Sequence, residues 1–507
     1  MSLALSRRTT LRRLRSLFPT ATSTSPATTI PASRRWLSLR ELDAEKQDRE
    51  RVVILGSGWG GFGVARSIDT KYYQPILVTP RTYFVFTPLL AGTAVGTLEF
   101  RNAMESSHSL KGVEVVRGYG VDWDPASKSL TVEGIRNEAD PGKTFQLPYD
   151  KLVLSVGAYA QTFGIPGVRE NAFFLKDVND ARRIRSRILA RFEEASLPDC
   201  SEQDQRRLLH FAIVGGGPTG IEFAAELHDL LEDDLSRIYP VLVNKADITV
   251  YDVAPVILGM FDNRLQGYAQ SLFRRQGIRV KTNHNVLEVK NDGLVTKEDG
   301  HVPAGMVVWS TGLATNPFVK NTILGKGFKL FPDDPKAEEL KVCKSQKAGQ
   351  ILVDTHLRVL TIATAEGKEK AEPKPLDDVF ALGDCAAVGT QGLPATAQVA
   401  NQQAKWLAKS LNNAAKGASH PVISSVGKRL VDIDEEREFG FRSLGIMAYL
   451  GGWRAITQSG GTDLKGRLAW LLWRTAYFSK SVGWRNKVLI PVYWFLNWIL
   501  GRDINRF

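Results

Sequence analysis

Short apolar runs rich in β-branched residues punctuate this chain, and each ends in a turn signal. Val52-Val53-Ile54-Leu55 follows Arg51 and predicts a buried strand, with Pro75-Ile76-Leu77-Val78-Thr79 as its neighbour in a βαβ unit. A third run, Lys151-Leu152-Val153-Leu154-Ser155-Val156-Gly157, ends in glycine just before Ile165-Pro166-Gly167 and closes a first nucleotide-binding segment. Residues 177–194 then take helical spacing with strong charge, and residues 198–205 read as a polar linker. A second unit opens with Phe211-Ala212-Ile213-Val214 and continues through a long helix from Ile221 and the strand Ile248-Thr249-Val250-Tyr251-Asp252. It closes with Val307-Val308-Trp309-Ser310-Thr311-Gly312. Residues 313–420 return to the first domain, carrying a charged surface insertion at 361–375 and the strand Val379-Phe380-Ala381-Leu382 before Gly383-Asp384. The alternation predicts an α/β fold of two Rossmann-like domains, 51–165 with 313–420 and, nested between them, 166–312.

Two of these strands run into the same kind of turn. Gly56-Ser57-Gly58-Trp59-Gly60-Gly61 and Gly215-Gly216-Gly217-Pro218-Thr219-Gly220 both fit G-x-G-x-x-G. In such a loop glycines let the backbone approach a pyrophosphate, and the first N–H groups of the next helix hold the anion. Two loops in register with strand signals point to two dinucleotides with electrons passing between them. In the second unit Asp252 ends its strand where an adenine nucleotide's ribose needs an acid. Val253-Ala254-Pro255 follows it and offers no cation to a 2′-phosphate, which favours NADH over NADPH. The distance from Gly220 to Asp252 exceeds the usual spacing, so residues 229–244 are expected to extend the helix and loop. The first loop lacks that acid: its second strand ends Val78-Thr79-Pro80-Arg81, leaving Thr79, Arg81 or backbone groups for a ribose diol. Gly383-Asp384 offers a carboxylate to a ribityl chain.

Charge and composition separate the ends from the body. The net charge is +12, yet residues 1–40 carry eight Arg and no acid, and residues 439–507 carry ten Lys or Arg against Asp463 and Asp503. The body between them is mildly acidic, which removes nucleic acid as a partner. The Arg-, Ser- and Thr-rich start reads as a mitochondrial presequence over 1–40, without the apolar core of a secretory signal. Residues 421–507 hold six of the eleven Trp, mixed with Arg467, Arg474, Lys480, Arg485, Lys487 and Arg502. The longest apolar stretch there, Val488 to Leu500, contains Pro491 and Asn497 and is too short to span a bilayer. The tail therefore predicts a helical, monotopic anchor on a membrane surface. Cys200, Cys343 and Cys385 form no C-x-x-C pair and no zinc spacing, which leaves neither a metal site nor a dithiol relay.

Four stretches carry a family resemblance. They are Pro80-Arg81-Thr82-Tyr83-Phe84-Val85-Phe86-Thr87-Pro88-Leu89-Leu90, the second loop through Ile221-Glu222, Ala397-Gln398-Val399-Ala400-Asn401-Gln402, and the tail from Phe478-Ser479 through Arg485-Asn486 to Leu500-Gly501-Arg502-Asp503. Together they resemble the type II (alternative, non-proton-pumping) NADH:ubiquinone oxidoreductases, in the fungal and plant mitochondrial branch. That branch also carries Ser/Thr-Pro-Arg where bacterial members often have an acid. The resemblance implies FAD on Gly56, Ser57, Gly58 and Gly61, with Thr79, Arg81, Gly157 and Gly383 nearby and Asp384 at the ribityl end. It implies NADH on Gly215, Gly217, Thr219, Gly220, Asp252 and Gly312. Glu222 matches a family glutamate near the nicotinamide, although a first-turn acid favoured by the helix dipole explains it equally. Ala397, Gln398, Asn401 and Gln402 match the family's quinone motif, the two glutamines sharing one helical face. Arg442 corresponds to a family lysine near the quinone.

The implied reaction takes hydride from NADH to bound FAD and two electrons on to ubiquinone at the mitochondrial inner membrane, without proton pumping. The basic, aromatic tail also suits a homodimer interface. Residues 432–437 lack the glycine an EF-hand loop has at its sixth position, so no calcium insertion is expected. Two rivals remain: a sulfide:quinone oxidoreductase, which needs placed cysteines and no intact nicotinamide loop, and an apoptosis-inducing-factor-like interaction module, which expects a basic body and no quinone motif. The intact second loop, dispersed cysteines and acidic body weigh against both.

Overall fold

The computed structural model describes residues 38–137, 140–346, 349–364, 372–389, 391–417, 438–460, 462–481 and 483–505. The presequence up to residue 37, the middle of the 361–375 insertion and residues 432–437 lie outside them. The chain divides into two compact units, Met1–Gln47 and Asp48–Phe507. Of the first, the helix Leu39–Lys46 is described. Its start is closed reciprocally, Ser38 Oγ accepting from Glu41 N at 3.3 Å and the Glu41 carboxylate from Ser38 N at 2.6 Å.

In the second unit a large sheet is built from two separated stretches of chain. Glu50–Leu55 lies between Tyr73–Thr79 and Lys151–Leu154, with Glu114–Asp124 beyond one and Lys374–Ala381 beyond the other, all parallel. Antiparallel strands extend both edges, Ser129–Asn137 and Asp140–Pro148 on one side, Arg358–Ala363 and Leu340–Val342 on the other. A second, five-stranded sheet is parallel throughout, in the order Phe173–Phe174, Met306–Trp309, His210–Val214, Asp247–Tyr251, Arg279–Lys281. Its chain is inserted between Lys151–Leu154 and Lys374–Ala381 of the first, and a short pair, Ala158–Ala160 with Leu313–Thr315, bridges the two. Every residue of Tyr73–Thr79 and of His210–Val214 is buried, as a parallel sheet covered on both faces requires. In each sheet the strand before the glycine loop has neighbours reached in opposite directions. Its carboxyl end is therefore a switch point, where open α/β sheets leave a crevice for ligands.

One stretch of the body differs from expectation and another follows it. The polar linker at 198–205 runs into a helix, Glu202–Leu208, whose N-cap Ser201 Oγ accepts from Asp204 N at 3.1 Å. Its near-uniform polarity left no apolar period to read. The second phosphate helix, Pro218–Leu230, continues through a wider turn at Leu231–Leu235 into Ser236–Ile238 and Pro240–Val243. That extension accounts for the long gap before Asp252.

The tail folds as a three-stranded antiparallel sheet, Ile446–Tyr449, Ala455–Ser459 and Thr462–Gly466, followed by the helices Arg467–Lys480 and Trp484–Leu500. One face of the last helix is pinned to the body. Asn486 Nδ2 donates to Met104 O at 3.0 Å, and Asn497 Nδ2, three turns on, donates to Thr97 O at 2.9 Å. Ile490 between them is fully buried, while Trp484, Val488, Val492, Phe495 and Trp498 stand exposed. No helix among the described residues is long and apolar enough to cross a membrane.

Candidate functional site

The two glycine loops are built alike. Gly58 and Gly217 are the N-caps of the helices Trp59–Ser67 and Pro218–Leu230, and a Cβ on either would meet nothing within 4 Å. That open space at a helix start suits a phosphate, and a side chain there would fill it. The last glycines are tight instead: a Cβ on Gly61 would strike the Gly56 carbonyl, and one on Gly220 the Gly215 carbonyl. Two serines that sequence reasoning missed complete the match. Ser155 Oγ donates to Leu55 O at 3.1 Å, and Ser310 Oγ donates to Val214 O at 3.1 Å, each locking the loop to the neighbouring strand. Their signal was present, since Ser155-Val156-Gly157 and Ser310-Thr311-Gly312 are the same Ser-x-Gly after an apolar strand. Gly157 and Gly312 also have nothing within 4 Å of a built Cβ, so both leave room beside the loops.

On the first side, Ser57 Oγ and Thr79 Oγ1 lie 2.7 Å apart, and Thr79 Oγ1 donates to Arg81 O at 2.9 Å. The Arg81 guanidinium is engaged by Asp177. Asp384 sits in the turn Gly383–Cys385 after the strand Lys374–Ala381, a turn fixed by Gly383 N donating to Gln403 Oε1 at 2.8 Å. The half-buried Asp384 carboxylate accepts no hydrogen bond among the described residues. Burial pushes its pKa up and the nearby Lys176 opposes that rise. A carboxylate withdrawn from water without donors of its own is suited to a ligand's hydroxyls, and with the open Gly58 cradle it fits FAD. Lys176, which no motif marked, donates from Nζ to Ala158 O at 2.7 Å, and burial lowers its pKa.

On the second side Asp252 is used twice. Its carboxylate accepts from Gly216 N, and Oδ1 accepts from Ala254 N at 2.7 Å, so the acid shapes the loop beside the ribose position. The nearest cation on the adjoining strand, Lys281, is paired with Asp299 at 2.6 Å. Thr219 is exposed at the helix start.

Further along the same helix the acids turn inward. Glu222 is buried, and its Oε1 accepts from Tyr449 N at 3.1 Å and Trp473 Nε1 at 3.2 Å. Burial pushes its pKa to about 8. One turn on, Glu226 accepts from Thr97 Oγ1 at 2.6 Å and is pushed by burial to about 6. Asp229 accepts from Tyr449 Oη at 2.5 Å and from Gly452 N at 2.9 Å. The i, i+4, i+7 spacing puts all three on one helix face, and that face meets the tail. Arg502 closes the contact, pairing with Asp234 at 2.6 Å and donating to Asp229 O at 3.2 Å. Between this helix, residues 88–98 and the tail helices lies a cavity of about 330 Å³, lined by Glu222, Glu226, Trp473, Arg474 and Trp494 with Trp453 and Trp498 among its walls.

The glutamines of the candidate quinone motif sit in the first turns of the helix Ala397–Gly417 and pair with main chain. Gln398 Oε1 accepts from Leu444 N at 2.8 Å, and Gln402 exchanges two bonds with Arg442, N to Oε1 at 3.1 Å and Nε2 to O at 2.9 Å. They act as rungs that hold residues 442–445 against the motif. Arg442 is thus brought to it through its backbone, with its side chain exposed, and Ala397 and Asn401 are half-buried beside it. Neither glutamine lines the cavity at Glu222. The three cysteines are free, and burial raises all three thiol pKa values, Cys385 to about 11, which makes them poor nucleophiles.

Residues 50–404 match the family model of the pyridine nucleotide-disulphide oxidoreductases, and residues 444–503 match that of the NDH2 C-terminal domain. A probable NADH dehydrogenase of Dictyostelium discoideum is 37% identical over 464 residues, covering 91% of this chain and 92% of that protein. An internal alternative NAD(P)H-ubiquinone oxidoreductase A1, mitochondrial, of Solanum tuberosum is 36% identical over 488 residues, covering 92% and 90%. NDH2 from Plasmodium falciparum, solved in complex with NADH, shares the fold at a TM-score of 0.75 and 23% identity, covering 90% of this chain and 100% of that one.

Proposed function

The chain belongs to the pyridine nucleotide-disulphide oxidoreductases, in the type II NADH dehydrogenase branch, and we propose that it passes electrons from NADH through bound FAD to ubiquinone at the surface of the mitochondrial inner membrane. The observation that carries this reading is the matched pair of phosphate loops on two sheets, the second of which runs directly into a helix packed on the aromatic tail.

FAD, when bound, supplies the two-electron carrier between NADH and ubiquinone. The rest falls to residues of this chain. Gly56, Ser57, Gly58 and Gly61 would take the FAD pyrophosphate, Thr79 and Arg81 border its ribose, and Asp384 would accept from ribityl hydroxyls between Gly157 and Gly383. Gly215, Gly217, Thr219 and Gly220 would take NADH, with Asp252 at its ribose and Gly312 leaving room for the ring. Both donors to Glu222 fall on Oε1, which leaves Oε2, at the junction of the NADH loop and the tail, without a donor among the described residues. Ala397, Gln398, Asn401, Gln402 and Arg442 form the quinone-side edge, with the glutamine amides keeping residues 442–445 in place. The tail helices would lie on the membrane, with exposed Trp484, Val488 and Phe495 entering the interface and Arg485 and Lys487 meeting lipid phosphates. Domain limits follow at 51–165 with 313–420, 166–312 and 421–507, and the chain oxidises NADH without moving protons across the membrane.

An anaerobic titration tests the whole reading. NADH should bleach the flavin of the purified protein while sulfide leaves it coloured, and a short-chain ubiquinone should restore the colour as quinol forms. Failure of NADH to bleach a flavin-loaded sample overturns it.

A further inference from the structure

Arg474 stands in the wall of the tail cavity in a state no other arginine there shares. Its guanidinium carbon lies 4.5 Å from the ring centre of Trp470 and 4.2 Å from that of Trp494. Trp470 in turn packs on Trp453, with ring centres 5.0 Å apart. Nε is shielded from water and finds no acceptor. Among the described residues neither a hydrogen bond nor an ion pair holds this side chain, although Glu226 and Tyr449 face it. Arg502, by contrast, is tied to Asp234, Thr97 and Asp229.

Both indoles hold the guanidinium carbon close over their rings, and a guanidinium hydrogen-bonds only through its edge. The rings therefore restrain the side chain within the cavity wall. A shielded donor without an acceptor is costly, and one that stands in a cavity wall can be completed by an acceptor that a ligand brings. The ligand's chemistry is constrained by the other walls. Glu226, Asp229, Asp233 and Asp234 outnumber Arg237, Arg474 and Arg502 in the same lining, so a phosphate or carboxylate would gain no net positive charge there. A neutral, flat molecule with oxygen acceptors needs none and can stack on indole. Trp498, 66% exposed, belongs both to the cavity wall and to the helix whose apolar residues face outward, so the site is continuous with the tail's exposed face.

We propose that Arg474 is a specificity-determining residue that holds the ubiquinone head group in this cavity, donating its Nε–H to a ring oxygen. The assignment rests on the quinone-reducing function above. Its test is kinetic, with two acceptors and two variants, Arg474→Met and Arg474→Lys. Arg474→Met keeps the packed stem and removes the donor. It should raise the KM for a short-chain ubiquinone at least tenfold, while flavin bleaching by NADH and turnover with ferricyanide, which needs no cavity, stay as in the wild type. Quenching of tryptophan fluorescence by ubiquinone should shift to higher concentration in parallel. Arg474→Lys keeps the charge without the planar fork and should show the same direction. It serves as the decisive variant if Arg474→Met does not fold. An unchanged ubiquinone KM in either folded variant overturns the assignment, as does competition between inorganic phosphate and ubiquinone in the wild type. Absence of bleaching by NADH in the wild type would instead fail the functional reading itself, so the two failures are distinguishable.

Discussion

Trp473 donates its indole N–H to Glu222 Oε1 at 3.2 Å, joining the first tail helix to the helix that starts at the second phosphate loop. The bond lands on a carboxyl group whose pKa burial has pushed from 4.5 to about 8. The neutral form is therefore favoured by the fold, and its contribution to stability is complete below about pH 4.5 and is lost as pH rises through about 8. Glu222→Gln keeps an oxygen for both donors and cannot ionise. Thermal melts should show the wild type falling relative to Glu222→Gln as pH rises from about 5 to about 8, by up to about 1.4 kcal/mol per pH unit. A melting-temperature difference that stays constant across that range defeats the prediction.

The open cradles of Gly58 and Gly217 make a second pair of variants informative. Since a Cβ at either site meets no atom, alanine should leave the melting temperature of the apoprotein nearly unchanged. Gly58→Ala should copurify with less flavin per protein. Gly217→Ala should keep its flavin and need about tenfold more NADH for half-maximal bleaching, roughly 1.4 kcal/mol of lost affinity. The opposite pattern would exchange the two cofactors between the loops.

Legibility in the sequence followed the range of the interactions. Strands buried on both faces read as unbroken apolar runs, so Val52–Leu55 and Phe211–Val214 and the loops they feed stood out. The Ser-x-Gly pair after Leu154 and Trp309 was equally local and was overlooked only because it is short. Glu222 was different. Its partners Tyr449 and Trp473 lie 227 and 251 residues away, and no spacing near Glu222 announces them. Gln398 and Gln402 were legible as a motif, but their attachment to the main chain of 442–445 is a tertiary contact that any exposed loop could have supplied. The helix Glu202–Leu208 stayed hidden because its residues give a cap but no apolar stripe.

Arg502 should act as the clasp of the tail. It pairs with the nearly buried Asp234 at 2.6 Å and donates to Thr97 Oγ1 at 3.1 Å. Removing one partner of such a pair leaves the other charge uncompensated, a loss of about 3–5 kcal/mol. Arg502→Ala should lower the melting temperature by several degrees and open the last helix to limited proteolysis near Gly483, while Arg485→Ala, an exposed cation on the same helix, should do neither. Equal protease resistance of Arg502→Ala and wild type would remove the clasp.

The outward face of the last helix makes the final prediction. Asn486, Ile490 and Asn497 fix one side of the helix Trp484–Leu500 to the body, which leaves Val488 and Phe495, 55% and 56% exposed, on surface that nothing among the described residues covers. Burying an apolar side chain of this size is worth about 1.5–3 kcal/mol, so replacing both with glutamate removes two such terms and adds two charges that anionic lipid repels. Val488→Glu/Phe495→Glu should therefore lose at least a hundredfold in partitioning to vesicles of phosphatidylcholine with an anionic lipid, judged by co-sedimentation, and keep wild-type turnover of NADH with ferricyanide. The wild type should bind those vesicles more weakly at high salt, because Arg485 and Lys487 contribute by charge, and should still bind, because the apolar residues do not. If the double variant sediments with vesicles as the wild type does but elutes as a smaller species in gel filtration, the face joins two copies of the chain and the membrane contact lies elsewhere.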